Sequence, residues 1–328
     1  MRITMVSLCA CMAALLSHPV WAVGEPAPMS RTQFDEMMQT ISNWGRWGDD
    51  DELGTLNTIT EEKRAAAAGL VRFGTTVSMA LDLNKVRDPL NQNPFEHTLS
   101  TGEFAGHQVA GDHYAVDYHG FAHSHIDGLP HFAHKGYFYN GVPFSDAKPS
   151  GTTRLGVHNI GKQGVFTRGV LIDVPRWLGI DYMEPGHVLT VADLKAWEKA
   201  SGVTISSGDV LLVRTGRWAR VADKGQWNFL ERAAGSHASI ATFLKARDVA
   251  VIGCDGVSDV MPSGVEGLAN PLHELVLVGL GMPILDNLDL EAVAAKAAEL
   301  ERHTFLFVGA PLRVSGGTGS PLNPLAVF

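Results

Sequence analysis

Apolar positions recur along this chain in two rhythms. Arg31–Ser42 and Thr60–Leu70 carry them at helical spacing, the second stretch opening with Thr60 ahead of Glu61 and Glu62. Thr75–Leu83 alternates as a half-buried strand does. Val165–Val174, Asp209–Thr215 and Val249–Asp255 are apolar, β-branched runs that predict strands of a core. Val191–Ala200, Ser236–Ala246 and Leu290–Arg302 predict helices, and Thr304–Ala310 a further strand. Strands and helices interleave with no linker, repeat or shift of composition, so one α/β domain is expected. Periodicity leaves the strand order open.

The first 22 residues read differently. Met1-Arg2 is a short basic start, Ile3–Leu16 is apolar apart from Thr4 and Ser7, and Val20-Trp21-Ala22 resembles a cleavage site. We read residues 1–22 as a secretory signal and 23–328 as the domain, which predicts a periplasmic or secreted protein. The leader is too short for a comfortable membrane span, and no later stretch has 18 uninterrupted apolar residues. The formal charge of −9 becomes 25 − 35 = −10 once Arg2 is removed, which speaks against nucleic acid or an anionic membrane as partner. Cys9 and Cys11 would leave with the leader. Cys254 alone then remains, so no internal disulfide is expected, and its apolar run makes it a packed core thiol.

Four of the 14 histidines fall between His119 and His131. If residues 119–127 are extended, His119, His123, His125 and Asp127 share one face, with members two apart separated by roughly 6–7 Å. Imidazoles plus a carboxylate, without a thiolate, suit Zn²⁺, Mn²⁺ or Fe²⁺ and leave a position open for water. A row of such groups would be costly in a core without a partner. Gly128 and Pro130 then turn the chain and would bring His131 back over the cation. Other signals are weaker: Gly316–Ser320 is glycine-rich but runs straight into Pro321, and no Gly-x-Ser-x-Gly elbow is present. Asp255 and Asp259 are expected to be structural.

His125, Asp127 and His131 match the signature His-x-Gly-Thr-His-x-Asp-x-Pro-x-His, with Ser124 in the threonine's place. In this the chain resembles the cyclase family of metal-dependent hydrolases, which includes kynurenine formamidases and isatin hydrolases. Asn43–Asn57, Lys135–Gly141, His273–Leu288 and Gly316–Pro324 resemble its longer members in the same order. The signature's first histidine falls on Phe121 and its glycine on His123. His123 is therefore expected to supply the missing imidazole, with His119 as the alternative.

The resemblance implies a single domain of swivelling β/β/α fold, assembled as a homo-oligomer, dimer or tetramer. It implies a divalent metal, zinc or manganese, held by His123, His125 and Asp127, and a small-molecule substrate. His131 would be the general base, and Trp44, Trp47, Phe121 and Phe132 would line an aromatic pocket. A late histidine and carboxylate complete such sites, and His273 and Asp286 stand in those places. Asp286, one methylene shorter than the usual glutamate, would favour one metal; as an alternative it caps the helix starting near Leu290. The implied reaction is cleavage of a cyclic amide or an N-formyl aryl amine. A cyclase, lactonase or dehydratase acting on an oxygen substrate, and a non-catalytic periplasmic binding protein, are the alternatives.

Overall fold

The computed structural model describes residues 27–328, so the leader with Cys9 and Cys11 lies outside them. Thirteen strands follow in chain order: β1 (Thr76–Ser78), β2 (Glu96–Phe104), β3 (His107–Ala115), β4 (His125–Asp127), β5 (Val165–Asp173), β6 (Val188–Leu189), β7 (Val210–Arg214), β8 (Gly235–Ser236), β9 (Val251–Cys254), β10 (Ile284–Asp286), β11 (Thr304–Gly309), β12 (Gly319–Pro321) and β13 (Leu325–Val327). The helices are α1 (Arg31–Ile41), α2 (Glu61–Ala68), α3 (Val174–Leu178), α4 (Val191–Ser201), α5 (Arg217–Lys224), α6 (Ile240–Arg247), α7 (Pro271–Glu274) and α8 (Glu291–Glu299).

Nine strands form one sheet in the order β1-β13-β11-β5-β7-β9-β10-β4-β12. Its centre, β5 to β10, is parallel, and antiparallel strands complete both flanks. The central strands are buried on both faces because helices cover each side, which is why they read as unbroken apolar runs. One face packs a core of Leu211, Ile252, Ile284, Leu244 and Trp197; the other packs Leu212, Val251, Leu285, Val293 and Phe305. This is the mixed α/β single domain expected of the cyclase fold. Cys254 is buried at the end of β9, where its sulfur accepts from the amides of Gly256 and Ser258.

One expectation changes, and one element had no counterpart in the sequence reading. The alternating stretch at Thr75–Leu83 is strand only over Thr76–Ser78; beyond it Met79 is buried in the core and its amide bonds the Pro324 carbonyl. The segment before the histidine cluster forms an antiparallel ribbon, β2 with β3, turning at Ala105 and Gly106 with positive φ at both. Every residue of the ribbon is exposed, so neither of its faces carries the one-sided apolar alternation that marks a strand.

The chain between α1 and α2 anchors the site from behind. The Asn43 amide bonds the Gly279 carbonyl, the Trp44 indole donates to Val278, and the Thr55 amide reaches Gly281. These contacts hold the π-helical turn Leu275–Leu280 that follows α7. Gly54 sits here at φ +56°, and a Cβ on it would meet the Gly281 carbonyl oxygen at 1.9 Å. Gly54→Ala should therefore cost roughly 2–5 kcal/mol, the sum of backbone strain and overpacking, in urea unfolding of the metal-free protein. A loss under about 1 kcal/mol would show that the turn yields freely.

Candidate metal centre

The site is built on β4, which lies between β10 and β12. Register sets His125 opposite Asp286 and Asp127 opposite Ile284 across β10, while Gly319 faces Asp127 across β12. Period-two alternation then sends His125 and Asp127 to one face and Ile126 into the core. Gly319 is required for this approach, since a Cβ there would press on the Ile126 carbonyl at 2.4 Å and on the His119 ring at 2.9 Å. The glycine-rich segment read as a weak phosphate motif is thus an edge strand of the site.

Asp127 is the focus. Its Oδ1 lies 2.8 Å from His119 Nδ1, 3.3 Å from His125 Nε2 and 3.8 Å from His131 Nε2. Its Oδ2 is 3.6 Å from His273 Nε2. Despite the short separation, His119 Nδ1 and Asp127 Oδ1 are buried without hydrogen-bond partners. Their lone pairs converge on shared space instead of on each other, which is how the ligands of a cation are disposed. Among the described residues two donor groups meet within 4.8 Å and share Asp127: His119, Asp127 and His131, and His125, Asp127 and Asp286. Nitrogen and carboxylate donors without sulfur fit a divalent metal ion.

His123 is placed differently from the expectation. Only residues 125–127 are extended; 119–123 form a bend, so alternation does not carry His123 onto the face of His125. His123 lies outside both donor groups, and the bend folds His119 back onto the site. His119 stacks on His131 with centroids 3.8 Å apart and planes 3° apart, and its Nε2 meets Thr318 Oγ1 at 3.0 Å.

His273 stands on α7 with Nδ1 2.6 Å from Asp259 Oδ2 and Nε2 3.1 Å from Asp286 Oδ2. Asp286 therefore faces the cluster and does not cap α8. Burial disfavours a charged His273, but Asp286 and Asp259 outweigh it and raise its pKa well above the ordinary value. Asp259, expected to be structural, orients a site residue; its distance of fourteen residues from His273 hid the pairing. Asp255 is structural as expected, gathering the amides of Thr215, Gly216 and Arg217. For Asp127, burial raises the pKa, yet the imidazoles of His125 and His119 hold it well below the carboxylate range. Burial lowers His131 to about 4, so its ring stays neutral at physiological pH.

Phe132 borders the site, 5.0 Å from the His131 ring and 5.2 Å from that of His273. Phe121 lines an adjoining cavity. Trp44 and Trp47 are engaged elsewhere: Trp44 bonds Val278, and Trp47 lies beneath the Arg46 guanidinium.

The bend has its own clamp. Arg217 donates to the Phe121 carbonyl at 2.8 Å and to Asn287 Oδ1 at 2.6 Å, and Asn287 Nδ2 donates to Gly120 at 2.7 Å. Arg217 is almost fully buried, and burial pulls its pKa down to about 10. Arg217→Met should free the 119–123 bend and weaken metal affinity about 10–100-fold in chelator competition, as loss of an orienting partner does. Unchanged affinity would make the clamp a stability feature only.

A family model described as "Putative cyclase" matches residues 16–259. Among solved structures, a novel cyclase superposes with TM-score 0.79 at 29% identity, covering 89% of this chain and 99% of its own. An isatin hydrolase A from Ralstonia solanacearum aligns at 21% identity and TM-score 0.53, covering 80% and 94% of the two chains. An isatin hydrolase bound to the product analogue thioisatinate aligns at 19% and 0.55, over the same shares. At these identities the last two speak for the fold. No curated protein matches the sequence.

Proposed function

The chain belongs to the cyclase family, and we propose that it is a metal-dependent hydrolase that opens a cyclic amide or removes an N-formyl group from an aryl amine. The observation that carries this reading is the convergence of His119, His125 and His131 on one unpaired oxygen of Asp127. The isatin hydrolases, whose names state that they act on isatin, supply the substrate class by likeness of fold.

A divalent cation held by His125, Asp127 and Asp286, with His119 beside Asp127, would lower the pKa of water and polarise the scissile carbonyl. The chain's own residues do the rest. His131, the most open of the site imidazoles beside His119, is neutral and takes the proton of the attacking water at Nε2. It then passes that proton to the departing nitrogen, so the ring ends as it began. His273, gripped by Asp259, keeps Asp286 in place and supplies positive charge beside both carboxylates. Phe132 packs against the rings of His131 and His273 and borders the space where the substrate would lie.

Purified protein should release isatinate from isatin, or an aryl amine from its N-formyl derivative. Turnover should vanish after dialysis against a chelator and return with Zn²⁺ or Mn²⁺. Equal turnover with and without metal would refute the reading.

A further inference from the structure

The chain between α1 and α2 also walls a cavity of about 330 Å³, a volume typical of small-molecule sites. None of the residues lining it belongs to either donor group or lines the cavities around Phe121. Its apolar lining is Leu53, Leu56, Ile59 and Ile160, of which the last three are buried.

Three carboxylates and two cations line the cavity as well, and they are not equally free. Asp51 is fully engaged, accepting from the Leu53 and Gly54 amides, the Asn57 side chain and the Tyr139 hydroxyl. Asp50 stands fully in solvent. Glu52 commits Oε2 to the Leu155 amide, at 3.0 Å, and to the Asn159 side-chain amide. Its Oε1 has no hydrogen bond among the described residues, with Arg154 Nε 3.8 Å away. Lys162 Nζ donates to Asn159 Oδ1 at 2.7 Å and keeps its other hydrogens free. Arg64 donates from Nη2 to Gln163 at 2.8 Å, and its remaining N–H groups make no hydrogen bond among the described residues.

Asn159 thus holds Glu52 by its nitrogen and Lys162 by its oxygen. An open acceptor and an open donor stand side by side, next to an apolar surface. An α-amino acid carries the complement, with ammonium, carboxylate and side chain on one carbon. A plain carboxylate would meet Lys162 but leave Glu52 facing a like charge, and a plain amine would do the reverse.

We infer that this cavity is a binding site, apart from the metal centre, for a free α-amino acid with an apolar side chain. The ammonium donates to Glu52 Oε1, and the carboxylate accepts from Lys162 Nζ with Arg64 adding positive charge. The side chain lies against Leu53, Leu56 and Ile160.

The test is calorimetric titration of L-leucine into the metal-loaded protein and into the chelator-treated protein, because an amino acid can also ligate a metal. Leucine should bind both forms alike. Glycine, isocaproate, which lacks the ammonium, and isopentylamine, which lacks the carboxylate, should each bind at least about tenfold more weakly. Lys162→Met alters an exposed side chain, and Glu52→Gln keeps an acceptor for Leu155. Each should weaken leucine binding about 3–10-fold. The inference would be overturned by absence of saturable leucine binding or by binding to the metal-loaded form alone. Isocaproate bound as tightly as leucine, or unchanged affinity in both variants, would overturn it equally.

Discussion

Asp127→Ala should leave a folded protein that no longer retains metal. Asp127 is the only carboxylate common to both donor groups, and its two oxygens touch four imidazoles. Loss of an orienting partner outside the ligand set costs about 10–100-fold in metal affinity, so loss of the shared ligand should exceed about 100-fold. Turnover should fall to background with it. The fold should survive, because β4 is held by backbone pairing on both sides and by Ile126 in the core. Removing Asp127 also relieves the cost of a buried charge once no cation is present to meet it. Metal analysis of the variant after gel filtration decides the matter; stoichiometric metal would remove Asp127 from the centre.

His131→Ala should keep its metal and lose kcat by about 10²–10⁴-fold, the range for general acid–base catalysis. His131 also belongs to a donor group and stacks on His119, so metal content has to be measured beside kcat. Retained metal with lost turnover makes His131 the base; lost metal makes it a ligand. The same residue sets the acid side of the pH profile. Burial holds the His131 pKa near 4, below the ordinary 6.5, so the base form persists as pH falls. The acid limb of kcat/KM should consequently lie below pH 6.5, and an acid limb at or above that value would assign the base to another group.

Much of this could be read in the residues themselves. The central strands announced themselves because burial on both faces demands unbroken apolar runs, α1 and α4 because apolar positions recur at helical spacing, and α2 because Thr60 also caps it. His125 and Asp127 were legible through a matched motif and Asp286 through the place the resemblance gives a late carboxylate, and the antiparallel pairing of β4 with β10 explains why they meet. That His119 and not His123 lies beside Asp127 was not legible. It depends on a bend whose clamp, Arg217 with Asn287, comes from chain roughly a hundred residues or more away. No local periodicity encodes such a contact. Asp259 was missed for the same reason: its partner, His273, arrives through the path of α7. The β2–β3 ribbon was invisible because it buries no face, and burial is what hydrophobic patterning reports.

The account stands or falls on hydrolysis at a metal centre, and oxygen-18 labelling tests both parts at once. The zinc- or manganese-loaded protein is given isatin or an N-formyl aryl amine in oxygen-18 water, and the carboxylate product is weighed by mass spectrometry. One solvent oxygen per turnover, absent from chelated protein and from Asp127→Ala, is the predicted result. A product without solvent oxygen, or the same labelling in chelated protein, would contradict it.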